Sequence, residues 1–232
     1  MLNSILSIIL VLGLPGQSLR IDDSSDWWSL HNENRSEATI NAGSKALADK
    51  NFTILGLAVG TQFEEIAAKL GKAQSVERGD ASTGRYQVCY VSANSTERVH
   101  LIFEFGEDES LFYLFASGPD WNGSNLCRKS KQISTIIGTS SGLRLGLARP
   151  QIEAILGKSD FTTGEKLIWY RQVERKTSAE KFARMRKEYP EQLSDKSAHE
   201  KFDSYPEESN FEIRLVNSRL NYLAVSRSGG AD

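Results

Sequence analysis

Histidine and cysteine are scarce in this chain of 232 residues, which holds three of the first and two of the second. His31, His100 and His199 are too few for a His-rich metal site, and a mixed site would need carboxylates at ligand spacings that the sequence does not offer. No metal and no cofactor are expected. Neither sign of charge is in excess: 28 basic residues against 30 acidic ones leave a formal charge of −2, so no overall field draws nucleic acid or anionic lipid. A phosphate-cradling glycine loop is absent too. What remains is an ordinary globular balance, 39% apolar and 25% charged, enough to bury a core.

The start of the chain, MLNSILSIILVLGLPGQS, reads as a secretory signal over 1–18. Residues 5–14 are apolar, Pro15 and Gly16 break the run, and Gly16 and Ser18 stand at −3 and −1 of a cleavage point before Leu19. It lacks a basic n-region, since Arg20 is the first cation. The run falls short of the roughly 20 residues that a spanning helix needs, so export with cleavage, to the periplasm or outside the cell, is the expectation, and the mature chain then keeps no stable membrane anchor. In an oxidising compartment Cys89 and Cys127 either pair, closing a loop of about 39 residues worth roughly 4 kcal/mol, or stay apart as small buried hydrophobes. Asn34, Asn51, Asn94 and Asn122 match the N-glycosylation pattern, which matters only in a eukaryotic secretory pathway. Residues 19–50 are polar and read as a tether, in which Trp27 and Trp28 dock either on the body or on a partner.

The body is organised by a repeat. GLAVGTQFEEIAAKLGK at 56–72 returns as GLRLGLARPQIEAILGK at 142–158, with eight of 17 positions identical and no gap. In the first copy Thr61 and Glu64 have capping-box spacing, Phe63, Ile66, Ala67 and Leu70 form one apolar face, and Gly71 supplies the stop. The second copy starts with Pro150 at the first helical position, keeps Ile152, Ile155 and Leu156 on the face, and stops at Gly157. Strand signals follow each helix: RYQVCYV, RVHLIFEF and SLFYLFAS at 85–91, 98–105 and 110–117, then KLIWYR, NFEIRLV and RLNYLAVS at 166–171, 210–216 and 219–226. The last strands share Leu-x-Tyr-Leu-x-x-Ser, and Tyr90 aligns with Tyr170. The expected fold class is α+β: two tandem units of helix plus antiparallel meander, 51–131 and 132–232, each too small to bury much alone.

A charged insertion at 172–209 lengthens the second unit. Within it Phe182, Met185 and Tyr189 share one side of a helix expected over 178–189, either as a binding element or on a solvated excursion. Strand alternation turns Val99, Leu101, Phe103 and Phe105 towards the helix and His100, Ile102 and Glu104 outward. In the second unit Glu212 and Arg214 are outward opposite Phe211, Ile213 and Leu215. This outer face reads either as a mixed aromatic and charged partner surface or as plain solvated sheet.

Chemistry is harder to find. Gly138-Thr139-Ser140-Ser141-Gly142 fits the nucleophile-elbow pattern, with His199 as the downstream imidazole, but an elbow runs straight from strand into helix and here the helix waits for Pro150. A linker between repeats accounts for it. Asp120-Trp121-Asn122-Gly123-Ser124 has calcium-loop flavour, yet its glycine is misplaced and Lys131 stands where a bidentate Glu is needed. No catalytic residue is expected.

Gly-Leu-x-(Val/Leu)-Gly, a helix ending Leu-Gly-Lys and then a meander resemble the unit of the β-lactamase inhibitory proteins. They are also similar to the related fold of the SmpA/OmlA lipoproteins of outer-membrane assembly, over about 52–118 and 138–227. The family's Gly-Met-Thr helix start survives as Gly60-Thr61 in the first unit and as Gly146 alone in the second. The resemblance implies two units in one curved sheet with helices on the convex side, and a non-enzymatic module that binds an exported or envelope protein, with inhibition one form of that binding; an envelope assembly factor is the alternative. The family carries a disulfide in each half, whereas here both cysteines fall in the first.

Overall fold

The computed structural model describes residues 47–78, 85–106, 109–116, 127–188, 190 and 203–228. The signal segment, Trp27, Trp28, the turn around Trp121, Tyr189 and His199 lie outside them. After a 3-10 turn (Asp49–Phe52) come β1 (Thr53–Ile54), β2 (Leu57–Ala58), α1 (Phe63–Leu70), β3 (Ser75–Arg78), β4 (Arg85–Ser92), β5 (Val99–Phe105), β6 (Glu109–Ala116) and β7 (Arg128–Ser130). Then follow α2 (Arg149–Leu156), β8 (Phe161–Thr163), β9 (Lys166–Lys176), α3 (Ala179–Glu188), β10 (Ser204–Val216) and β11 (Arg219–Ser228). The fold is α+β and leans towards sheet. Beside the small β1–β2 pair, one nine-stranded sheet runs β3-β4-β5-β6-β11-β10-β9-β8, with β7 on β4. All its pairings are antiparallel except that of β4 with β7.

The starts of the two repeat helices differ from the expected caps. α1 is capped by Gln62 without a side-chain bond, so the Thr61–Glu64 box does not form. Gly60, at φ 89°, turns the chain just ahead of it, and the Thr61 N–H donates to the Ala58 carbonyl instead, at 3.2 Å. In α2 the cap is Ala148, and Pro150 falls one step inside the first helical residue. Alanine has no side-chain acceptor, so one half of a capping box remains: the Ala148 N–H donates to Gln151 Oε1 at 2.9 Å. The stops agree with the sequence. Gly71 and Gly157 take φ 89° and 82°, and each donates its N–H back to the fourth residue before it, at 2.8 Å.

The carbonyls of these stop glycines are both read by a core aromatic: Tyr90 Oη donates to Gly71 O at 2.9 Å and Trp169 Nε1 to Gly157 O at 3.0 Å. Trp169, and not Tyr170, thus makes at the second stop the contact that Tyr90 makes at the first. Ile66, Leu70, Ile152 and Leu156 from the helices join a single core cluster with Leu101, Phe103, Phe112, Leu114, Trp169, Phe211, Ile213, Leu223 and Val225. Leu101, Phe103, Phe211 and Ile213 are among the positions that strand alternation turns inward.

Two registers at the middle of the molecule share one property. β6 and β11 pair so that Leu114 faces Leu223, its own counterpart in the shared Leu-x-Tyr-Leu motif. Near β1, Ile54 bridges Thr139 and the Ser140 N–H donates to Thr53 O at 2.7 Å, so the pair Thr53 and Ile54 meets the pair Thr139 and Ser140, 86 positions further on, in crossed order.

The insertion is less of an excursion than its composition suggests. β9 and β10 remain paired from Lys166↔Arg214 out to Lys176↔Ser204, so much of 172–209 prolongs the sheet as a ribbon, with α3 in the connection at its tip. Apolar alternation stops at Arg171 and Asn210, where charge pairing takes over. Arg175 donates to Glu207 Oε1 at 3.0 and 3.2 Å. Arg227, its guanidinium 3.9 Å from the Phe52 ring centroid, donates to Asp49 at 2.9 Å.

Cys89 on β4 and Cys127 just ahead of β7 are at disulfide distance, their Cα atoms 4.5 Å apart. The bond ties β7 against the outer side of β4.

Candidate functional site

Five of the residues picked out by strand alternation are gathered on one face of the sheet, opposite the core that contains the helix side chains. Register places them in adjacent cross-strand rows. The first runs His100, Phe115, Tyr222, Arg214, Lys166; the second Ile102, Tyr113, Ala224, Glu212, Ile168; the third, from β4 inward, Gln87, Glu104, Leu111, Ser226, Asn210. The facing is as expected, but the exposure is not. His100, Ile102, Glu104 and Glu212 are all buried, at 2%, 8%, 4% and 6%, so this face is not open solvated sheet. The reason lies in the neighbours: Ile102, Leu111, Tyr113, Phe115, Tyr222 and Ala224 form a second apolar cluster of their own. The polar members are set into it.

The two carboxylates among them already have partners. Glu104 accepts from Arg85 at 2.6 Å, from Tyr113 Oη at 3.3 Å, and from Gln87. Glu212 accepts from Arg214 at 2.8 Å and has Lys166 Nζ at 3.5 Å. Arg214 also lies over the Tyr222 ring, 5.1 Å from its centroid. His100 stacks on Phe115 with ring centroids 5.1 Å apart and its Nδ1 3.1 Å from the Arg98 carbonyl. Burial holds the His100 pKa down at about 4, against a weaker upward pull from that carbonyl. Burial first, and then the neighbouring Glu212, pushes the Tyr222 hydroxyl well above its ordinary value. The face thus keeps a neutral imidazole and a neutral phenol between two carboxylates that already have their cations.

The insertion offers a different surface. α3 spans Ala179–Glu188, one residue inside each end of the expected helix. Phe182 and Met185 are half-buried on it. A groove of about 660 Å³ is lined by the apolar Ala179, Phe182 and Ala183 and by the charged Arg186, Lys187 and Asp203. It sits at the tip of the β9–β10 ribbon, away from the residues of the sheet face. The eight residues expected to bind a partner therefore fall into two groups: five on the buried face, and Phe182 and Met185 on α3, with Tyr189 outside the described residues.

Ser140 is exposed in a tight turn, in which Thr139 Oγ1 and Ser141 Oγ lie 2.8 Å apart and the Leu143 N–H donates to Thr139 Oγ1 at 3.1 Å. α2 begins nine residues later, so the strand-to-helix context of a nucleophile elbow is missing. Among the described residues no group of three or more His, Cys, Asp or Glu is placed to hold a metal ion. Of the sequons, Asn51 is buried at 2% exposure, whereas Asn94 is exposed in an Asx turn, its Oδ1 accepting from the Thr96 N–H at 3.2 Å. The ribbon and its ion cluster escaped the sequence reading because charge alternation across two distant segments leaves no apolar period to detect. Compared with protein-family models, with curated proteins and with solved structures, the chain matches none.

Proposed function

We propose that the chain is an exported, non-enzymatic protein-binding module. On this reading it is built from two equivalent units similar to those of the β-lactamase inhibitory proteins, joined edge to edge in one sheet with the helices on one side. The observation that carries the two-unit reading is the register at the seam. Leu114 pairs with its own motif counterpart Leu223, and at an offset of 86 Ile54 meets the counterpart of Thr53 while Thr53 meets the counterpart of Ile54, the reciprocal exchange that a local twofold makes. The strand order on either side of that seam has the same palindromic form.

The binding element is the ribbon and α3 rather than the sheet face, because a buried face with its carboxylates already paired has little left to offer a partner. The groove on α3 combines apolar surface with two cations. Export is supported by the leader-like start and by the cysteine pair at disulfide distance.

The test is capture of an exported partner by the chain from residue 19, against a variant in which 177–203 is replaced by a two-residue Asn-Gly turn between β9 and β10. A partner lost with the deletion is the expected result. A partner retained by both chains would return binding to the rest of the sheet, and catalytic turnover by the purified chain would end the non-enzymatic reading. Stoichiometric inhibition of cephalosporin hydrolysis, titrated with a purified β-lactamase, decides whether the module is an inhibitor of that class.

A further inference from the structure

β4 and β9 hold matching places in the strand order, yet their outer edges are treated differently. Along β4, β3 covers 85–88 and β7, running parallel, covers 90–92. Along β9, β8 reaches only 166–168. One step further Asp160 acts as a stopper: its N–H donates to Ile168 O at 2.9 Å, and its carboxylate accepts the Tyr170 N–H at 2.8 Å and binds the Arg171 guanidinium. Those bonds fix the parity of the strand, because Ile168 and Tyr170 direct their peptide groups away from β10, while the Thr177 N–H donates to Asp203 O on the β10 side at 2.7 Å. Gln172, Glu174 and Lys176 therefore present their N–H and C=O groups outward, and no described strand lies against them.

We infer that this outer edge of β9, residues 172–176, is the docking edge for an extended acidic segment of a partner protein, which adds to the sheet as one more strand. The molecule contains its own precedent. β7 is a three-residue segment laid along the equivalent edge of β4 and fastened by the Cys89–Cys127 pair. With no further cysteine to fasten it, a segment on β9 would be held by backbone pairing and charge alone, which suits a separate chain. Charge selects which one. Residues 171–188 hold seven basic side chains against three acidic, and although Arg171 and Arg175 already hold Asp160 and Glu207 the other five still outnumber the acids, which favours an acidic strand and opposes a second copy of this chain, since that would set cation against cation. The same charges keep the edge from pairing indiscriminately. Backbone groups would supply the attachment and the flanking cations the choice.

The inference deepens the protein-binding reading and rests on it. The probe is a fluorescein-labelled peptide of about ten residues that alternates Glu with Thr and Val, alongside the same peptide N-methylated at every second residue, each titrated into the full chain. The parent peptide is expected to bind and to slow amide exchange at Gln172, Glu174 and Lys176, and the N-methylated form to lose roughly tenfold or more in affinity. Glu174→Pro removes one outward N–H and leaves the β10 ladder whole, and it should weaken the parent peptide to a similar degree. Pro206, directly opposite Glu174, already occupies such a step. Equal binding of both peptides would reduce the contact to side-chain charge and overturn the inference, as would unchanged exchange at the three amides or no binding at all. Should Glu174→Pro fail to fold, the exchange measurement on the native chain still decides. A natural partner that binds Glu174→Pro undiminished removes the docking edge and leaves the module standing, whereas peptide addition with no protein partner to be found does the reverse.

Discussion

At the scale of single residues, the buried sheet face makes acid the sensitive variable. A His100 pKa of about 4 lies below the ordinary value of about 6.5, so the unfolded chain takes up this proton first as pH falls. Its contribution to stability is intact above pH 6.5 and is lost on the way down to pH 4, about 3 kcal/mol in all. Urea unfolding at a series of pH values should show that slope, and His100→Phe, which fills the same place against Phe115, should flatten it. Glu104 is the other residue to test. Removing it in Glu104→Ala strands the Arg85 guanidinium, Gln87 and Tyr113, and is expected to cost about 3 kcal/mol by denaturation. Removing Glu153, whose ion pair with Arg149 lies on the surface of α2, should cost about 0.5 kcal/mol or less. Alternation told which way His100, Ile102 and Glu104 point, because a strand has period two. It could not tell that they would be buried, since that depends on Tyr113, Phe115 and Tyr222 arriving from two other strands.

Among the elements, the sequence was most legible where one stretch carried its own period. The cores of both helices and the six longer strands were visible from apolar spacing, and so were the glycine stops. The two stops differ in what surrounds them. A Cβ at Gly157 meets open space, so Gly157→Ala carries the cost of its φ of 82° alone, roughly 1 kcal/mol. A Cβ at Gly71 would stand 2.5 Å from Arg128 Nε and displace the guanidinium that donates to Lys72 O at 2.7 Å, so Gly71→Ala should be the more damaging of the two in thermal melts. Short strands were not legible. β3, β7 and β8 have three or four residues each, with little apolar content, and they exist because a longer strand beside them offers an edge. β7 depends on its cysteine as well. Reducing the Cys89–Cys127 pair is expected to cost about 4 kcal/mol, read by denaturation with and without reductant, with β7 the first to lose amide protection.

For the whole molecule, one core cluster receives residues from both of the similar segments. The ribbon was missed at this scale for a plain reason: Arg175, Glu207, Arg227 and Asp49 come from four distant parts of the chain, and no local window contains their pairing. That cluster has a further consequence. It brings Asp49, near the first described residue, within 2.9 Å of Arg227, next to the last, so the described chain closes almost into a ring. In a closed ring the point of entry is arbitrary. A circular permutant that begins at Gln132, runs to Ser228, crosses a short glycine linker to Leu47 and ends at Lys131 should melt within a few degrees of the parent. If it does, the order of the two halves along the gene is an accident of wiring, and the fold is indifferent to which half is made first.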